Sequence, residues 1–413
     1  MPRPPSFRRS QVAIAALFCF LGFQYGTWVS RVPALKTHLG LSTTEVGLLL
    51  LAPGLGATVS FPLVARLMKQ LGSRRLCTVS AVAMLIVLGA LSVAPNFWVA
   101  VVVLFLDGIS IACLNVAMNA QGAALEAKYE RNTMARLHAV FSGGTFAAAL
   151  LASGVTAITG KLPVHFAVAG VLLLALLAAS WTGTLTDDAP AEESAGAPAE
   201  AGRTTRRWAI PSLIVLWLCV AMVFGELTEG AMNDWSALYL RDVAHAATEL
   251  TPLGIATVSA MMVLARLFAD RWWERWGDKR VVLAGTALAA AGLAGALLLG
   301  GWVPALAGFA CVGLGMAAVT PCLYVAAAKQ GSTALALVAS AGTGGLLIGP
   351  PIIGFVAGGS SLVWGMTVVV SAIVLVFLST TQLSFADTAQ PGAGETAAVD
   401  EEVEQAEASH PVT

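Results

Sequence analysis

The chain has 413 residues, 57% of them hydrophobic and 11% charged, with a net charge of −1 and a mean hydropathy of +0.79. A soluble domain carries roughly 25% charged residues, so charge this sparse excludes a water-exposed globule of this length and leaves lipid as the main surrounding medium. The near-neutral balance is segregated by loop and offers no nucleic acid a basic face.

A spanning helix needs roughly 20 mainly apolar residues to cross about 30 Å of hydrocarbon. The alternating strands of a membrane barrel do not occur, so the apolar runs read as helices. Arg3, Arg8 and Arg9 precede the first run, which starts at Val12 and continues through Tyr25 and Trp28 without a small-residue cleavage site. That pattern reads as a retained first helix rather than a signal peptide. The expected spans are 11–30, 44–67, 76–94, 97–121, 137–159 and 163–182, then 208–232, 251–270, 281–300, 302–328, 334–357 and 361–383. Residues 183–207 are rich in Ala, Pro, Glu and Gly and read as a linker. The acidic stretch 385–413 has no apolar face and reads as a disordered tail. The resulting organisation is all-α: a six-helix bundle over 1–182, the linker, and a second bundle over 208–384.

Loop charge tests this topology. With the N-terminus inside, only Arg31, Lys36, Lys161 and Arg241 fall outside, leaving 19 of the 23 basic residues on the inner side. The positive-inside rule then puts both termini in the cytoplasm of a multi-pass plasma-membrane protein. The halves also align at an offset near 205. Gly72-Ser73-Arg74-Arg75 maps onto Gly277-Asp278-Lys279-Arg280, Gly108 and Ser110 map onto Gly313 and Gly315, and Ser142-Gly143-Gly144 resembles Thr343-Gly344-Gly345. Repeated bundles facing one another across a midplane site are a transporter architecture.

The six cysteines all fall in apolar runs, without CxxC or His/Cys spacing, and read as packers with no disulfide or metal implied. Gly313-Leu314-Gly315 lacks the strand and third glycine of a nucleotide fold, and no P-loop or hydrolase constellation occurs. The reading is therefore a non-enzyme without cofactor or metal, acting as a monomer in the bilayer on a small solute and protons.

A charge inside the bilayer costs about 3 kcal/mol on insertion scales, so intramembrane acids are functional candidates. Asp107 lies about 15 Å into the fourth span, near the midplane. Asp107, Ile111, Asn115 and Asn119 follow at steps of four and share one stripe. One reading has Asp107 taking up a coupling proton while Asn115 and Asn119 hydrogen-bond a polar solute; the other has Asp107 as a protonated packing contact. Glu226 and Glu229, three apart in the seventh span, share a face and read as a proton-sharing pair. The alternative is that Glu229 and Asp234 sit at the interface, solvated or paired with Arg31 or Arg241. Gln24, Tyr25 and Trp28 suit a sugar or aromatic solute, although an interfacial belt also explains Trp28. Thr320 and Tyr324, at the positions of Asn115 and Asn119 in the repeat, are further solute candidates. His138 reads as a solvated interfacial histidine.

The chain resembles the major facilitator superfamily over nearly all its length. That family carries a G-x3-D-R-x-G-x-R-R loop motif after its second and eighth spans. Here the first copy keeps Gly72, Arg74 and Arg75 but not the preceding Gly, Asp and Arg. The second, Glu274-Arg275-Trp276-Gly277-Asp278-Lys279-Arg280, keeps the acid-Arg-x-Gly-x-Lys-Arg core. The resemblance implies that Arg74, Arg75, Glu274, Arg275, Gly277, Lys279 and Arg280 latch the halves on the cytoplasmic side. Leu114 to Asn119 resembles the Gln/Asn-x-Ala-x-Asn signature of fucose- and glucose-type sugar permeases, and Glu229 to Ser236 is similar to a feature of a related branch. The drug-antiporter signature is missing from the fifth span, while a similar run, Gly345 to Pro351, lies in the eleventh. The resemblance thus implies alternating-access transport, with proton-coupled uptake of a polar solute such as a sugar ahead of proton-driven efflux of hydrophobic compounds.

Overall fold

A computed structural model describes residues 6–131, 133–181, 183–185 and 211–383; the expected linker beyond Leu185 and the acidic tail lie outside them. The helices in order are α1 (Phe7–Val29), α2 (Val32–Leu39), α3 (Thr43–Val59), α4 (Phe61–Ser92), α5 (Phe97–Tyr129), α6 (Met134–Ile158) and α7 (Leu162–Ser180). The second half has α8 (Leu213–Asp242), α9 (Leu253–Trp276), α10 (Asp278–Leu299), α11 (Trp302–Met316), α12 (Val319–Lys329), α13 (Ser332–Gly359) and α14 (Leu362–Gln382). Eleven stretches are long and apolar enough to cross a membrane, with α3 a shorter apolar helix beside them.

These elements make twelve passes. Ser60 keeps helical angles, so α3 runs on into the start of α4 as the second pass. Gly72, at φ 71° and ψ 164°, then breaks α4 and begins the third. That backbone region is open essentially only to glycine. α11 and α12 form the tenth pass, and their break falls where Pro321 cannot donate the N–H that Ala317 would otherwise receive. Short polar side chains start several helices. Ser42 and Glu45 form a capping box on α3, and Asn96 accepts from Val99 N–H at 3.1 Å to open α5. The eight-residue α2, ended by left-handed Gly40, was not expected from the sequence.

The halves repeat in detail. Gly277 adopts φ 76° and ψ 154°, matching Gly72. A Cβ on Gly108 would strike the Pro53 carbonyl, and one on Gly313 the Val258 carbonyl, at the same 205 offset. Gly144 packs on the α1 backbone at Cys19 as Gly345 packs on the α8 backbone at Val223. With lipid tails as apolar as leucine, backbone approach at small residues is a main source of such packing. With twelve passes, the start of α1 and the end of α14 lie on one face of the bundle, the terminal face; α2, between the first and second passes, lies on the other, the far face.

Candidate functional site

In the first half the polar centre is sealed. Asp107 on α5 and Gln24 on α1 are both fully buried, and Gln24 Nε2 donates to Asp107 Oδ1 at 3.0 Å. The Trp28 indole, one helical turn beyond Gln24, is directed at the same carboxyl. It does not close a hydrogen bond: Trp28 Nε1, Gln24 Oε1 and Asp107 Oδ2 all lack a partner. Three residues expected to divide between solute and proton therefore meet in one pocket. Further along the α5 stripe, Ile111 is half-buried, Asn115 exposed and Asn119 half-buried, with Asn119 Nδ2 donating to Asn115 Oδ1 at 2.9 Å. Along this one ridge Asp107 is closed off, while the side chains on its terminal-face side are at least partly reachable.

The second half is more open and carries a cation. Thr320 on α12 donates to Glu226 on α8 at 3.1 Å. Glu229, one turn on, pairs with Arg266 of α9 at 3.9 Å, the side chains 30% and 33% exposed. Arg266 also donates to Ser142 of α6, in the other half, at 3.3 Å. Tyr324, one turn from Thr320, is exposed and within electrostatic reach of Glu226. His138, expected to be a solvated interfacial residue, is exposed, stands edge-on to Phe18 at 5.2 Å between ring centroids, and feels the Arg266 charge.

Two members of this constellation escaped the sequence reading. Arg266 was counted with the cytoplasmic loop, but α9 continues to Trp276 and holds it about 15 Å inside the helix end. Asp234 fell outside the expected span, which ended at residue 232, and one alternative put it at the interface, but α8 continues to Asp242, and Asp234 is 7% exposed. The proposed partners of Glu229 are likewise corrected. Arg31 donates to Thr156 Oγ1 and to Gly160 O at 2.6 Å, and Arg241 to Asp242, Thr37 and Pro33 O, all at the far face.

That face is closed by bonds between the halves. Tyr25 donates to Asp234 Oδ1 at 3.0 Å, Lys36 pairs with Asp242 at 2.6 Å, and Ser153 donates to Glu249 O at 2.5 Å. Thr44 donates to Gly354 O at 3.4 Å where α3 and α13 meet backbone to backbone at Gly47. On the terminal face, Arg74 donates to Trp181 O at 3.2 Å, and Lys279 to Thr381 O and Leu383 O at 3.0 and 2.7 Å. Each cation thus meets the carbonyl end of the last helix in its own half, where the helix dipole favours positive charge. These bonds hold each half together rather than joining the two. Arg75 is exposed and lines, with Arg74, a cavity of about 710 Å³ at this end; Arg275 and Arg280 are also exposed, while the Glu274 side chain lies outside the described part. Among the described residues no His, Cys, Asp and Glu side chains gather as a metal site.

The profile of the Major Facilitator Superfamily matches residues 12–332. The uncharacterized transporter y4wD of Sinorhizobium fredii is 34% identical over 355 residues, covering 83% of this chain and 90% of its own length. The membrane protein MosC of Rhizobium meliloti is 30% identical over 366 residues, covering 86% and 85%. Among solved structures, a point mutant of the nucleoside transporter NupG superposes with a TM-score of 0.69 over 91% of this chain and 99% of that one, at 13% identity, a likeness of fold.

Proposed function

The chain belongs to the major facilitator superfamily, and on that premise we propose that it is a secondary active transporter taking up a small polar solute, such as a sugar, with protons by alternating access. The observation that carries the proposal is Asp107: a fully enclosed carboxyl near mid-bilayer, with a neutral amide as its one hydrogen-bond partner. A charge there is costly, and a proton removes the charge. Glu226 and Glu229 are the second coupling group, reachable in this state while Asp107 is not. Asn115, Asn119, Thr320, Tyr324 and Tyr25 supply amides and hydroxyls to a solute, and Gln24 and Trp28 act beside Asp107. The terminal face is cytoplasmic in this reading, in the plasma membrane, so the described state is closed to the outside. Arg266, bonded to Glu229 and Ser142, links the coupling pair to the opposite half.

Proteoliposomes with an imposed inward proton gradient, screened with labelled sugars, test the reading. Accumulation above equilibrium that collapses with a protonophore and is lost in Asp107→Asn supports it. Gradient-driven expulsion of amphipathic compounds, with no sugar accumulated, overturns uptake in favour of export.

A further inference from the structure

Asp234 is an enclosed acid that the roles above leave unused. It lies two turns from the far end of α8, 7% exposed, and its Oδ1 accepts a 3.0 Å hydrogen bond from the Tyr25 hydroxyl of α1, in the other half. Above it, at the same seam, Lys36 pairs with Asp242, and Arg241 bonds Thr37 and the Pro33 carbonyl. Resting on the proton-coupled reading, we infer that Asp234 is a further proton-binding residue, filled from the far side, whose occupancy permits the far face to close.

The groups around it make the argument. Tyr25 is the titratable side chain that α1 brings to Asp234. On its own helix, Glu229 is already paired with Arg266 of α9, and Arg241 and Asp242 are engaged with Lys36 and the α2 backbone. Helices α13 and α14, packed along α8, contain no Asp, Glu, His, Lys, Arg, Tyr or Cys; α11 contains Cys311, which lies against Gly292 of α10, α12 holds Cys322, Tyr324 and the terminal-face Lys329, and α2 carries the exposed His38 beside Lys36. Among the described residues no cation meets Asp234. When the halves part at the far face, α1 withdraws from α8 and water reaches this carboxyl, so it ionises cheaply. When they close, it is left with one neutral donor, and burying a carboxylate on those terms is costly. A proton removes the cost. The device blocks a futile cycle: the face does not close readily over an empty carboxylate, so closing carries a proton inward with the solute. Asp107 lies deeper, beside a different set of donors, and does not touch this seam.

Spin labels at His38→Cys and His245→Cys, both exposed on the far face and on opposite halves, report closure of the full-length protein in proteoliposomes by double electron–electron resonance, with the native cysteines replaced. In the otherwise native protein the short-distance population dominates in acid, and a longer one grows as pH rises. Asp234→Asn, neutral at every pH, keeps the short distance throughout and loses the pH dependence. Tyr25→Phe removes a hydrogen bond made to Asp234 only in the closed state, whether or not the acid is protonated, so opening begins about one pH unit lower, the size expected for one lost hydrogen bond. That second variant decides the matter if Asp234→Asn does not fold. Asp234→Asn opening with pH as the parent does, or Tyr25→Phe matching the parent, overturns the inference. Proton-driven uptake measured on the same liposomes separates the two claims: coupled uptake with unchanged gating sinks only the role of Asp234, and its absence in the parent sinks the transport reading.

Discussion

In the first half Asp107 is wholly enclosed, hydrogen-bonded by the Gln24 amide and flanked by the unbonded Trp28 indole. In the second, Glu226 and Glu229 meet a hydroxyl and a guanidinium, and Glu229 stays about a third exposed. The scaffold is the same on both sides, down to paired glycine breaks at Gly72 and Gly277 and helix-end cations at Arg74 and Lys279. Repetition therefore fixes where helices cross, while the side chains on the central ridges are free to diverge into one sealed and one accessible acidic centre. A transporter that loads a coupling ion from one side and releases it to the other has use for that asymmetry.

The sharpest break of this comparison is Asp107→Asn. Uptake against a gradient is expected to vanish while solute counterflow survives, because the amide still fits Gln24; loss of both activities together, in a folded protein, would make Asp107 structural. Arg266→Ala is expected to lower uptake by about tenfold, less than orphaning a fully buried charge would, since both partners are about a third exposed. Adding Glu229→Gln should cost less than the two single losses combined, as a double-mutant cycle on initial rates would show. Next come the shared crossings. Gly144→Ala and Gly345→Ala should each destabilise by about 1–3 kcal/mol through overpacking, and Gly143→Ala, with open space beside it, by under about 0.5 kcal/mol. Thermal unfolding in detergent measures all three. The smallest effect belongs to Asn119→Ala, a few-fold rise in KM with the maximal rate kept, because Asn119 is half-exposed and bonded to Asn115.

Much of the scaffold was legible because membrane helices declare themselves locally. Long apolar runs and basic loops need only neighbouring residues to be read, and the 205-residue repeat needs only short stretches of the two halves set side by side; it reappears in the backbone angles of Gly72 and Gly277. The helix ends were less legible. α8 and α9 continue past their apolar stretches as polar turns, which is why Arg266 was counted with a loop and an interface was one reading of Asp234. The stripe of Asp107, Asn115 and Asn119 could be drawn on a helical wheel, but which of its members are enclosed depends on how the neighbouring helices pack. Tyr25 and Asp234 are 209 positions apart, and Arg266 and Ser142 are 124 apart, so no local pattern announces either bond. The latch implied by family resemblance met a similar limit: Arg74 and Lys279 have the helix ends of their own halves within reach.

The central claim is that movement of a polar solute is tied to movement of a proton through the enclosed carboxyl of Asp107. Proteoliposomes loaded with a pH-sensitive dye and challenged with a mixed library of sugars and amphipathic compounds test it directly. The account predicts a solute-dependent pH change that disappears in Asp107→Asn. Saturable counterflow of one solute, with no pH change in the parent protein, would contradict it and leave a uniporter whose acids are structural.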